Sequence, residues 1–82
     1  MTEMSWREQT YQEIYRKIRQ HVEERQQTDP RFSKDELCGM LRNAYIDQGN
    51  DWGGRGIRHA ITISATIAAY EYCLAEWEEA ED

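Results

Sequence analysis

The chain has 82 residues, 39% of them apolar and 32% charged, and a net charge of −6. That length leaves room for a single domain spanning residues 1–82, and the composition excludes both a disordered chain and a disulfide-stapled scaffold. Charge placement argues against nucleic acid as a partner. Phosphate contacts need clustered Lys and Arg, yet residues 57–82 hold one arginine against six acids. A domain this small buries roughly 60% of its unfolded surface, so a net stability on the order of 4–12 kcal/mol is expected.

The first predicted element opens with a capping box. In Ser5-Trp6-Arg7-Glu8 the serine hydroxyl can accept from the backbone three residues on, while Glu8 reaches back. Tyr11, Ile14, Tyr15, Ile18 and Val22 then recur at helical spacing, with Met4 on the same line. On the other side, Arg7, Arg16, Lys17, Arg19 and Arg25 interleave with Glu8, Glu13, Glu23 and Glu24, a mixture suited to local ion pairs on a solvated face. Pro30 forces its predecessor out of helical geometry, so this helix is predicted over 6–27, with 1–4 frayed.

The second element starts at Ser33, with Glu36 as its box partner and with Phe32 and Leu37 at the two positions of a hydrophobic staple. Leu37, Met40, Leu41, Ala44 and Tyr45 form its apolar stripe. Gly39 inside it costs roughly 1 kcal/mol against alanine, an expense that suggests another helix approaching closely there. Gly49 is expected to close the helix in left-handed geometry, giving a span of 34–47.

Residues 48–56, QGNDWGGRG, hold four of the five glycines of the chain. The segment is read as an ordered corner, with the Trp52 ring packed on the fold and Arg55 and Arg58 at the surface. Together with His59 these residues, Trp52, Arg55 and Arg58, form the candidate partner-contact set, because Trp and Arg dominate binding hot spots. The competing reading is an anion or nucleotide site over 49–59, where backbone amides and a helix N-terminus converge. Against it, the segment lacks the Lys-Ser/Thr ending of a phosphate loop and the preceding strand of a dinucleotide fingerprint.

The third helix, predicted over 57–79 with 80–82 frayed, is apolar on two sides. One stripe runs through Ile57, Ile61, Ala65, Ala68, Tyr72 and Ala75; the other runs through Ile63, Ile67, Tyr70, Leu74 and Trp77. A helix with two apolar faces is buried on both, so it is expected at the centre of an all-α, three-helix bundle-like domain, or against a second chain. A homodimer on this helix would cover Trp6, Trp52, Tyr70 and Trp77. A DNA-binding helix-turn-helix is excluded by the long link before this helix and by its apolar start, Ile57 to Ser64.

Catalysis finds no support in the residue pattern. His21 and His59 lie on different helices without metal-ligand spacing, the glutamates of helix three lack a paired ExxH, and Ser64 and Thr66 have no nucleophile-elbow glycines. No catalytic, metal or cofactor site is therefore expected. Cys38 and Cys73 fall among apolar neighbours and are expected as buried free thiols of a reducing compartment. The longest apolar stretch is interrupted by Arg58, His59 and Glu71, so no membrane span is expected, and with no secretory leader the expected location is cytoplasmic. The leading functional expectation is a non-catalytic protein–protein interaction module that forms a homodimer. The alternatives are the ligand-binding reading of 49–59 and an acidic decoy of a nucleic-acid-binding protein, the latter motivated by the carboxylates at 76–82.

Overall fold

A computed structural model describes residues 5–50 and 56–81, with the side chains of Asn50 and Glu81 left out. The chain forms three α-helices: α1 (Trp6–Thr28), α2 (Lys34–Asn50) and α3 (Gly56–Glu81). Both N-terminal serine caps form. The Glu8 N–H donates to the Ser5 hydroxyl at 3.3 Å, and the Glu36 N–H donates to the Ser33 hydroxyl at 3.2 Å. Each satisfies a helix-end donor that has no intrahelical acceptor.

Asp29 builds the corner between α1 and α2. Extended at φ −115° and ψ 101°, as a residue before proline must be, it ends α1 by donating its N–H to the Arg25 carbonyl at 2.8 Å. Its carboxylate accepts from the Arg31 N–H at 3.0 Å, and its carbonyl accepts from the Phe32 N–H at 3.1 Å. The turn delivers Phe32 and Leu37 together into the core, both buried. Arg25 clamps the corner from the α1 side. Its guanidinium lies 4.3 Å from the Phe32 ring centroid and 3.5 Å from both the Asp29 and Glu36 carboxylates.

Helix α3 packs on both other helices, whereas the backbones of α1 and α2 do not pack on each other. The stripes of α1 and α2 are each wide enough for one neighbour; α3 carries apolar residues on two sides and takes both. One cluster joins Val22, Phe32, Leu37 and Cys73, with Ile18, Met40 and Trp77 at its rim. A second joins Leu41 and Ala44 to Ile63 and Ile67, and Tyr70 and Leu74 bridge the two. Pairings such as Arg19 with Glu76 and Lys34 with Glu78 set α1 parallel and α2 antiparallel to α3.

Several sequence expectations need correction. Helix α2 does not stop near Asp47, and Gly49 does not close it in left-handed geometry: the helix runs on through Gly49 to Asn50. Among the described residues only Gly56 has a positive φ, +88°, as the chain enters α3. One helical glycine costs about 1 kcal/mol, less than leaving the last carbonyls unbonded. No helix approaches Gly39, where an added Cβ would meet nothing within 4 Å. Cys73 is buried but Cys38 is only half-buried. Tyr70 and Trp77, expected under a second copy, pack within the chain itself. Trp6 is 52% exposed, while Trp52 and Arg55 lie outside the described residues.

Candidate interaction surface

The second predicted stripe of α3, Ile63 to Trp77, is the face that α2 covers. The first stripe behaves differently. Helix α1 sits over the line Ala65, Ala69 and Cys73, all buried, rather than over Ile57 to Ala75. The reason is bulk: α1 brings Tyr15, Ile18 and Val22, and these seat best over the smallest side chains available. The displacement leaves an outer arc of α3 that neither α1 nor α2 covers. Ile57 is 49% exposed and Tyr72 is 41% exposed; Ala60, Ser64 and Ala75 are exposed, and Ile61 and Ala68 half-buried.

Both edges of this arc are held in place. On the α1 side, the Arg19 guanidinium lies over the Tyr72 ring at 4.0 Å and is itself held by Glu23 at 3.5 Å and Glu76 at 3.8 Å. Tyr15 meets Tyr72 edge-on with centroids 6.3 Å apart, and Tyr11 stacks on Tyr15 at the same distance. Burial pushes the Tyr15 phenol above its usual pKa, with Arg19 opposing. On the α2 side, the Tyr45 hydroxyl donates to the Glu71 carboxylate, a bond that raises the Tyr45 phenol pKa. Aromatic side chains fixed this way lose little rotamer freedom on meeting a partner, which favours binding.

One of two grooves extends the surface. It holds about 320 Å³ and lies beside the N-terminal half of the arc, between Ile61 and the α1 residues Arg7, Glu8, Tyr11 and Gln12. The other, of about 420 Å³, lies off the arc on the α1-facing side of α3 near its C-terminal end, lined by Glu23, Phe32, Cys73, Glu76 and Trp77 among others. The thiol in that groove is not poised for nucleophilic work. Burial, with Glu23 and Glu76 adding to it against Arg19, pushes the Cys73 thiol up to about 11, so it stays protonated at neutral pH. Among the described residues, no three or more of His, Cys, Asp and Glu converge as a metal site, and no helix is long and apolar enough to cross a membrane.

Of the candidate contact residues read from the sequence, Arg58 and His59 stand on the first turn of α3. Arg58 is exposed and His59 half-buried, and as neighbours on a helix they leave it about 100° apart. The uncovered surface that the structure describes runs along α3 from Ile57 to Ala75, while Trp52 and Arg55 of the glycine segment lie outside the described residues. The signal was present in Ala60, Ser64, Ala68 and Ala75, whose small side chains at helical spacing read equally well as core. Comparison of this chain with protein-family models, with curated proteins and with solved structures finds no match.

Proposed function

We propose that this protein is a non-catalytic protein-binding module that docks through the outer arc of α3. One observation carries the reading: the most apolar helix of the fold leaves Ile57, Ala60, Tyr72 and Ala75 exposed, with half-buried Ala68 between them. Single exposed apolar residues are ordinary, but a row of them spanning five turns of one helix marks an interaction surface. The exposed Tyr72 and the small residues around it suit a partner helix laid along the arc. Two free thiols are consistent with action in a reducing compartment such as the cytoplasm.

The test is a photo-crosslinking amino acid placed at Ser64, on the arc, or at Lys17, exposed on α1, in cells of the source organism. Covalent protein adducts should form from Ser64 and not from Lys17. If Ser64 gives no protein adduct while the protein accumulates normally, the arc is not a docking surface.

A further inference from the structure

The partner that best fits this arc is the chain itself. We propose that two copies pair through α3, antiparallel, about a two-fold axis passing between Ser64 and Ala68; this rests on the docking reading above and names its occupant.

The first argument is area. The chain exposes 6277 Å², where a compact monomer of the same mass exposes about 5200 Å². Its radius of gyration is 14.2 Å, against about 12 Å for a compact domain of this length. The excess, on the order of 1000 Å², matches the roughly 800 Å² that each partner contributes to a stable interface. α1 and α2 lean on α3 without their backbones closing on each other, so the open arrangement of the helices contributes to this surplus.

The second argument is self-complementarity. An interface made by a two-fold axis must fit its own surface turned end for end. Turned about a point between Ser64 and Ala68, the arc puts Ile57 level with Ala75 of the other copy and Ala60 level with Tyr72. Ser64 is then level with Ala68. Each outer level combines a large residue with a small one, and the small residues at the centre let the axes approach to about 8 Å.

Charge then selects the antiparallel order. In the N-terminal half of α3, Arg58 is the one fully charged side chain, while the C-terminal half carries Glu71, Glu76, Glu78 and Glu79. The last turn of α3 holds no basic residue and its first turn no acidic one, so its charges oppose its own macrodipole. A parallel pair would lay glutamates beside glutamates. An antiparallel pair carries each acidic end to the other copy's Arg58, and to Arg7 in the groove beside Ile61. Those ends then lie beside the positive end of the other macrodipole.

The test uses distance. Purified chain carrying Cys38→Ser and Glu79→Cys is labelled with a nitroxide at residue 79, Cys73 being buried and protonated. Double electron–electron resonance is then recorded at high micromolar concentration. Antiparallel pairing about the proposed axis separates the two labels by about 40 Å, from 1.5 Å of rise per residue. A separation of about 10–20 Å means parallel pairing and overturns the proposal. Loss of the dipolar signal with helical circular dichroism retained means the chain does not pair, which also overturns it, while the Ser64 crosslink still judges the docking reading. Ser64→Arg in the labelled chain should abolish the long distance and leave helicity unchanged.

Discussion

Leu37→Ala measures how much of the fold hangs on the joint between α2 and the other two helices. Leu37 is the largest side chain with no exposed surface among the described residues, packed with Val22, Phe32 and Cys73. Removing its three outer carbons forfeits about 2.4 kcal/mol at roughly 0.8 kcal/mol per carbon. The space left behind adds a cavity term of about 24 cal/mol per Å³ that is not filled. Met40 and Trp77, half-buried at the rim of the same cluster, have room to shift inward and fill part of it. The expected loss is therefore about 3 kcal/mol, toward the lower end of the range for buried leucines. Against a total on the order of 4–12 kcal/mol, that brings the variant close to unfolding. Urea denaturation followed by helical circular dichroism, at one fixed protein concentration, reads it directly. Ile46→Ala, at a side chain 53% exposed, serves as the control and should shift stability by less than about 0.5 kcal/mol. A loss below about 1 kcal/mol for Leu37→Ala would refute the packing described here.

Two glycines should respond with opposite sign. Gly39→Ala adds a Cβ in open space on a helix and should stabilise by about 0.5–1 kcal/mol, whereas Gly56→Ala forces a side chain onto φ +88° and should cost about 1–2 kcal/mol; thermal melts of both variants check the pair. Cys73 should resist alkylation at neutral pH while half-buried Cys38 reacts, as read by mass spectrometry. The Cys73 thiol, pushed up to about 11, keeps its proton after the unfolded thiol has lost its own near 9. The unfolded state is therefore favoured progressively as pH rises from about 9 to 11, and stability falls over that window. Cys73→Ala should flatten that part of the stability–pH curve, and an unchanged curve would contradict the assignment.

Local signals carried the helix starts, and long-range competition decided what they did not carry. Ser5 and Ser33 were legible because a cap is settled within three residues by hydrogen bonds the sequence spells out. The α2-facing stripe of α3 was legible because Ile63, Ile67, Leu74 and Trp77 are too large to be anything but buried together. Ala65, Ala68 and Ala69 were not separable in advance. They are chemically identical, and only the bulk of Tyr15, Ile18 and Val22 settles which line α1 covers and which is left outside. Gly49 misled for a related reason: glycine favours a helix end but tolerates a helix interior, and the continuing backbone bonds decided the matter. The arc from Ile57 to Ala75, with Arg58 near its N-terminal end, is the surface the described residues present; Trp52 and Arg55 lie outside them.

Sedimentation equilibrium on the wild-type chain and on Ala68→Arg tests the central claim most directly, because Ala68 lies at the middle of the uncovered arc and away from the face that α1 covers. The wild type should approach twice the 9.8 kDa of one chain at high micromolar concentration. Ala68→Arg should remain at the mass of one chain with its helical circular dichroism intact, since the new guanidinium can extend from this half-buried position into water along an arc that neither α1 nor α2 covers. A wild type that stays at 9.8 kDa throughout, or an Ala68→Arg variant that dimerises as well as the wild type, would contradict the account.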